Sequence, residues 1–132
     1  MPTGSRSRSL GCLTLILLGL AAYNALGALN AGARYAFLQQ LPLDVPVAYL
    51  IASRAFWAVM WSGLAWGLWR RRRWARWGLL AGAIAYLGHG WLNRLVWGHS
   101  DYAVQTQPWN LVVGVLAVAV TAWLVGRSAL WR

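Results

Sequence analysis

Eight consecutive residues, Trp69 to Arg76, set five arginines and two tryptophans between two long apolar runs. An arginine at the centre of a bilayer costs roughly 2.5–3.5 kcal/mol on insertion scales, and arginine-rich loops stay on the cytoplasmic side. This segment, the arginine turn, therefore predicts a cytoplasmic connection between two membrane spans. It also fixes the direction in which each neighbouring span runs.

Composition agrees with a membrane protein. The chain has 132 residues, is 60% hydrophobic and carries a formal net charge of +10, with arginine as its only basic residue type apart from histidine. The arginines cluster beside apolar runs instead of covering a soluble basic face, so no nucleic-acid partner is expected. The predicted partners are membrane lipids, whose anionic headgroups attract basic residues at the cytoplasmic surface. The residues assigned to this lipid contact are Arg70, Arg71, Arg72, Arg73 and Arg76.

Several kinds of chemistry are excluded or disfavoured by residue counts. Cys12 is the only cysteine, which rules out an internal disulfide, a multi-cysteine metal site and electron exchange through cysteine pairs. Asp44 and Asp101 are the only carboxylates, and both are predicted to lie in loops, so catalysis by paired carboxylates is not expected. His89 and His99 follow each other in one segment and do not suit a haem between facing helices. No cofactor, no metal and no enzymatic activity are predicted.

The predicted fold is all-α, an integral membrane bundle of four transmembrane helices. About 20 apolar residues cross a hydrocarbon core of roughly 30 Å. The predicted spans are residues 10–30, 47–69, 74–97 and 109–131, preceded by a disordered cytoplasmic tail over residues 1–9. Arginines at the tail, the turn and the C-terminal end place both termini in the cytoplasm of a bacterial cell, with the protein in its inner (plasma) membrane.

The connections contain residues that end or begin helices. Pro46 is placed to open the second span, and Pro108 is placed in the first turn of the fourth. The segment Tyr35 to Leu38 is predicted to be a helix end or a short helix lying in the membrane interface. An alternative for the first apolar run is a cleaved signal peptide, because Ala25-Leu26-Gly27 loosely fits a cleavage site.

Each span has a stripe of small and polar residues at helical spacing, which predicts the faces that pack together. The stripes are Leu17, Leu20, Asn24, Gly27, Ala28 and Ala31; Arg54, Ala58, Ser62 and Ala65; Gly78, Gly82, Ala85, Tyr86, His89 and Asn93; and Asn110, Gly114, Ala117, Thr121 and Ser128. Gly63 and Gly67 form a separate GxxxG motif that suits a neighbouring chain. Trp57, Trp61 and Trp123 lie deep in their spans and are expected to pack or face lipid, with contact to a bound aromatic or isoprenoid ligand as the alternative.

Polar residues of the stripes concentrate in the outer half of the predicted bundle. The candidate ligand-binding residues are Asn24, Arg54, Tyr86, His89, Asn93 and Asn110. An arginine within a span indicates either a ligand or ion site, or a structural residue that pairs with Asp44 or Asp101 or reaches the exterior. His89 is either a hydrogen-bonded interior histidine or a proton-relay or quinone contact. Both interpretations stay open for both residues.

One stretch supports a family comparison. Gly67-Leu68-Trp69 ends a span, an arginine-rich turn follows, and Trp74-Ala75-Arg76 resumes the next span. In this pattern the chain loosely resembles small, uncharacterised four-helix bacterial inner-membrane proteins, a resemblance that implies a membrane bundle and no activity. The expected function is that of a non-catalytic accessory or assembly subunit, bound to other membrane chains or to copies of itself. The alternative is a small transporter or a lipid- or quinone-binding protein.

Overall fold

A computed structural model describes residues 3–42, 45–97 and 101–127 of the chain. Every regular element in these residues is helical, which confirms the all-α fold class. The helices are α1 (Thr3–Ala33), α2 (Tyr35–Gln39), α3 (Val47–Trp69), α4 (Arg73–Trp97) and α5 (Asp101–Gly126). They divide into two compact units, Met1–Arg70 and Arg71–Arg132, each built around one pair of long helices.

In the described residues, two segments are long and apolar enough to cross a membrane. They are Arg8–Ala33 of α1 and the whole of α3, Val47–Trp69. In α5 the comparable apolar stretch is shorter, Gly114–Gly126, and α4 begins with the arginines of the turn. Length and composition therefore support the first two of the four predicted spans.

Most helix bounds agree with the predicted spans, and three do not. α3 has the predicted limits, with Pro46 at its N-cap, and the short helix α2 lies where Tyr35 to Leu38 predicted one. The prediction of a disordered tail is wrong for the described residues, because α1 begins at Thr3 and continues three residues past the predicted end. Serine and arginine continue a helix at little cost, so the polar start does not interrupt it.

The start of α5 also differs. α5 begins at Asp101, eight residues before the predicted start, so Pro108 lies inside the helix instead of in its first turn. No strong helix breaker occurs between Asp101 and Pro108. Pro108 at this interior position lacks the backbone N–H that would bond to the carbonyl four residues earlier, and its ring crowds that carbonyl, so α5 includes the proline at a cost in helix stability. The described helix ends at Gly126, and residues 128–132, with Ser128 and Trp131, lie outside the described residues.

The first unit is a hairpin of α1 and α3. Its buried face on α1 is mostly small, and its buried face on α3 is dominated by two indoles that stack with ring centroids 6.1 Å apart. The buried residues are Thr14, Leu17, Ala21, Asn24 and Ala31 on α1, and Val47, Trp57, Trp61, Leu64, Ala65, Gly67 and Leu68 on α3. Trp57 and Trp61 are thus packing residues, which agrees with their predicted role. Ser62 of the predicted stripe is exposed, whereas Ala65 of the same stripe is buried, so the buried face of α3 is displaced from the predicted stripe toward the indoles.

The second unit is a hairpin of α4 and α5. Its buried residues are small or medium in size: Ala75, Leu79 and Gly82 on α4, and Gly114 and Val125 on α5. Gly82 and Gly114 belong to the predicted stripes, whereas Ala85 and Ala117 of the same stripes are exposed. Ala75 near the start of α4 and Val125 near the end of α5 are among the most buried residues of this unit.

Candidate functional site

Arg54 lies across the α1–α3 hairpin. Its guanidinium carbon is 5.5 Å from the centroid of the Tyr23 ring, within the range of a cation–π contact. Its side chain also fills the space above Gly27, where an added Cβ would lie 2.8 Å from Arg54 Cδ and 2.9 Å from Cζ and would collide with Nη1. The missing side chain at Gly27 therefore leaves a notch on α1 that the Arg54 side chain fills. Half-buried in this way, Arg54 packs helix against helix.

The carboxylates predicted to pair with Arg54 lie outside the described residues. Asp44 lies outside the described residues, and so does the side chain of Asp101, although its backbone begins α5. The Tyr23 ring is instead the partner that the structure shows. This contact supports the structural interpretation of Arg54, through an aromatic ring and not through the predicted ion pair.

Asn24 lies one turn from Gly27 on the buried face of α1. It is 3% exposed, and its Nδ2 donates a hydrogen bond to the carbonyl oxygen of Leu20 at 2.8 Å. The structure thus places two predicted site residues, Asn24 and Arg54, on the facing helices of one hairpin. At least one donor of the amide is satisfied inside α1 itself.

The other predicted site residues belong to the second unit. Tyr86, His89 and Asn93 are half-buried along one face of α4, and each takes part in a polar or ring contact. Asn110 lies in α5, but its side chain is outside the described residues. A single polar layer that joins these residues to Asn24 and Arg54 stays a prediction.

The arginine turn presents its charges outward. Arg70 to Arg73 are all exposed. Arg70 caps α3, with its backbone N–H bonded to the carbonyl oxygen of Trp66 at 2.9 Å. Arg71 follows with φ of 52°, a left-handed conformation that glycine adopts far more easily and that costs other residues roughly 1–2 kcal/mol. Each of these four exposed side chains can form hydrogen bonds with an anionic group such as a phosphate.

Arg76 differs from the four exposed arginines. It is half-buried, and its Nε donates a 2.7 Å hydrogen bond to the carbonyl oxygen of Val125, one of the last carbonyls of α5. Carbonyls at a helix C-terminus have no partner within the helix, and a cation there also suits the helix dipole. Arg76 therefore caps α5 from α4, a role that the sequence analysis did not predict.

A Trp-x-x-x-Arg pattern occurs at the ends of two helices, and the contacts within it are not among those predicted from the sequence. Arg70 lies 5.3 Å from the ring centroid of Trp66 at the end of α3, and Arg127 lies 4.2 Å from that of Trp123 at the end of α5. Residues four apart share one helix face, so the spacing alone signals these contacts. Each pair combines an exposed indole with a cation just beyond the last turn.

A groove between α4 and α5 is the feature that sequence reasoning could least anticipate. It has a volume of about 380 Å³ and is open on one side. Its lining is apolar apart from one indole: Leu87, Gly88, Trp91, Leu111, Gly114, Val115, Val118 and Ala119. Gly114 belongs to a predicted packing stripe, and Gly88 belongs to none.

The first hairpin is held by helix packing, the turn carries surface charge, and the second hairpin has a capped helix end and an apolar groove. Comparison with known proteins adds no ligand or activity to this chemistry. No protein-family model, no curated protein and no solved structure matches the chain.

Proposed function

We propose that this protein is a non-catalytic membrane subunit of four spans, with both termini in the cytoplasm of a bacterial cell, that acts as an accessory or assembly component of a larger membrane complex. The observation that carries the proposal is the division of polar and apolar groups on the helices. Polar side chains are bonded within their own helices, while large apolar side chains face outward.

Five polar side chains donate hydrogen bonds to backbone carbonyls three or four residues earlier. They are Thr14 to Leu10, Asn24 to Leu20, Ser53 to Leu50, Ser62 to Ala58 and Thr121 to Ala117. In a bilayer core no water is present to satisfy a polar group, so satisfaction inside the helix is required. Ser62 is exposed, and its internal bond fits a surface that faces lipid.

The outward surface is apolar along the helices. Exposed large side chains include Leu15, Ile16, Leu18, Leu26 and Leu29 on α1, Phe56 and Val59 on α3, and Leu111, Val112, Val115, Leu116 and Val120 on α5. Soluble monomers rarely expose contiguous apolar patches beyond a few hundred Å². Such a surface is suited to contact with lipid chains or with the helices of a partner protein.

Tryptophans and arginines support the proposed orientation. Trp69 and Trp74 belong to the arginine turn, Trp77 follows it, and all three are at least half exposed. Indoles accumulate at the membrane interface and arginines on the cytoplasmic side, so this end of α3 and α4 is proposed to lie at the inner surface. The matching Trp123 and Arg127 pair favours the same side for the end of α5.

The topology is tested by thiol labelling of intact cells. In a variant without the native thiol, Cys12→Ala, single cysteines are introduced by Ser5→Cys, Ser100→Cys and Ser128→Cys. An impermeant maleimide is expected to label only the cysteine at position 100, and all three after cell lysis. Labelling at position 5 in intact cells would overturn the proposed orientation of the first span.

The subunit role is tested by purification in a gentle detergent. A partner chain at fixed stoichiometry, recovered with the wild type and identified by mass spectrometry, is the expected result. A chain recovered alone at every detergent concentration would overturn the accessory role and leave the lipid-binding alternative, which the α4–α5 groove favours.

A further inference from the structure

We infer that one end of the second hairpin binds the phosphate groups of anionic phospholipids through arginines of both helices, Arg72 and Arg73 at the start of α4 and Arg127 at the end of α5. We call this end, residues 72–77 and 123–127, the basic end. The inference rests on the proposed membrane function. It adds Arg127 to the lipid contacts predicted from the sequence, and it gives Arg76 the role of holding the two helix ends together.

Two contacts define how α4 and α5 run past each other. The Nε of Arg76 donates its 2.7 Å hydrogen bond to the carbonyl oxygen of Val125, and a Cβ added at Gly114 would lie 3.9 Å from Leu87 Cδ2. Between these contacts the position rises from 76 to 87 on α4 and falls from 125 to 114 on α5, by the same number of residues. The helices are therefore antiparallel and keep one register.

This register brings the arginines and indoles of the basic end into two layers. Trp77 comes level with position 124, next to Trp123, and Arg127 comes level with position 74, next to Arg73. In each helix the arginine is four residues from the indole and nearer to the end, a distance of about 6 Å along the axis. The backbone N–H of Arg127 bonds to the carbonyl oxygen of Trp123 at 3.2 Å, so the last turn of α5 is formed up to this residue.

The side chains of both layers are accessible. Trp77 is 64% and Trp123 is 58% exposed, and Arg72, Arg73 and Arg127 are exposed as well. The guanidinium carbon of Arg127 is 4.2 Å from the centroid of the Trp123 ring. This contact with the ring is not a hydrogen bond, so it orients Arg127 and leaves N–H donors for a phosphate, which arginine binds strongly and often in a bidentate manner.

No carboxylate side chain of the chain itself can neutralise this charge. Asp44 and Asp101 are the only two in the sequence. Asp101 is the first residue of α5, which puts it about 37 Å of helix away from the end of α5. Asp44 precedes α3, whose 23 residues span about 33 Å before the turn begins. The anion that complements the basic end therefore comes from outside the chain.

The order of groups along the helices identifies this anion as a lipid phosphate. The apolar stretch Gly114–Gly126 of α5 ends where the arginine layer begins. From this stretch outward the chain presents hydrocarbon, then indoles and then guanidinium groups. A phospholipid leaflet presents acyl chains, then glycerol esters and then phosphates, and tryptophan is enriched at that boundary. A headgroup with a net negative charge complements arginines that have no carboxylate beside them.

The test measures which lipids the purified full-length protein retains. The protein is placed in nanodiscs that contain equal amounts of phosphatidylglycerol and phosphatidylcholine, and the bound lipids are counted by native mass spectrometry. The variants are Arg127→Gln, Arg127→Lys and the double change of Arg72→Gln with Arg73→Gln. Arg34→Gln is the matched control, because Arg34 is also exposed and its side chain makes no capping hydrogen bond at α2.

We expect the wild type to retain more phosphatidylglycerol than phosphatidylcholine. Arg127→Gln should lower this ratio about fivefold, and the double variant should lower it further. Arg127→Lys keeps the positive charge and should retain much of the preference, whereas Arg34→Gln should leave the ratio unchanged. The double variant tests the surface even if Arg127→Gln does not fold.

Equal retention of the two lipids by the wild type would overturn the inference. An Arg127→Gln ratio equal to that of the wild type would overturn the part of α5 in the surface, and an equal loss in Arg34→Gln would show an effect of net charge alone. These ratios are measured on purified protein and do not depend on its orientation in the cell. Labelling at position 5 in intact cells would instead overturn the proposed function, whatever the lipid ratio.

Discussion

The two hairpins close in different ways. Between α1 and α3, stacked indoles at Trp57 and Trp61 fill the space beside small residues of the partner helix. Between α4 and α5, Ala75, Leu79 and Val125 are buried, and an open groove lies farther along the pair, between residues 87–91 and 111–119. A pair filled by aromatic side chains is a structural element. A pair with an open groove retains room for a ligand.

Arginine shows the same contrast. Arg54 of the first hairpin lies over the notch at Gly27 and against the Tyr23 ring, so its long side chain packs α3 against α1. Arg76 of the second hairpin ties the helix ends together with one directed hydrogen bond. In both hairpins an arginine thus joins two helices.

The largest effect is expected in the indole core. Trp61→Ala should lower the free energy of unfolding by about 3 kcal/mol, because removal of a buried aromatic side chain leaves a cavity that the helices cannot close. The free energy is measured by titration of the purified protein with a denaturing detergent. Trp66→Ala is the control on the same helix, since Trp66 is 56% exposed, and should cost less than about 1 kcal/mol. A similar loss of unfolding free energy in both variants would mean that Trp61 is not buried between α1 and α3.

A smaller loss is expected at the cap of α5. Arg76→Met removes the donor to the Val125 carbonyl and should cost about 2 kcal/mol, the range of hydrogen bonds from charged groups. Arg72→Met removes an exposed arginine of the turn and should change stability by less than about 0.5 kcal/mol. Thermal unfolding of both variants compares them directly. If Arg72→Met costs as much, the stabilising effect belongs to the charge of the turn and not to the cap.

The smallest effect compares two glycines of the first hairpin. Gly63→Ala enters open space and should stabilise the protein by up to about 1 kcal/mol through helix propensity. Gly27→Ala should instead destabilise the protein by about 1 kcal/mol relative to the wild type, since the new Cβ displaces Arg54. Addition of Arg54→Ala to Gly27→Ala should recover part of the loss. A double variant as unstable as the sum of both single changes would show that Arg54 does not occupy the notch.

The sequence predicted those features that depend on one helix alone. The limits of α3 were predicted correctly because Pro46 and the arginines bound its apolar run on both sides. The predicted start of α5 is wrong because it places Pro108 in the first turn, whereas α5 begins at Asp101 and holds Pro108 in its interior. Proline is favoured in a first turn, but this preference does not forbid an earlier start.

Features that depend on two helices were only partly predictable. Helical periodicity placed Arg54 and Asn24 toward a partner helix, and the structure puts both on the α1–α3 hairpin. Periodicity does not say which residue faces which, so Tyr23 and the notch at Gly27 were not foreseen. The groove depends on the distance between two backbones, and a sequence encodes that distance only through packing.

Each hairpin is one uninterrupted stretch of chain, Met1–Arg70 and then Arg71–Arg132. A ribosome adds roughly 5–20 residues per second, so the second stretch emerges several seconds after the first is complete. Contacts between segments close in sequence form far faster than that. The order of synthesis thus becomes an order of assembly, in which the indole-filled hairpin has closed before the groove exists.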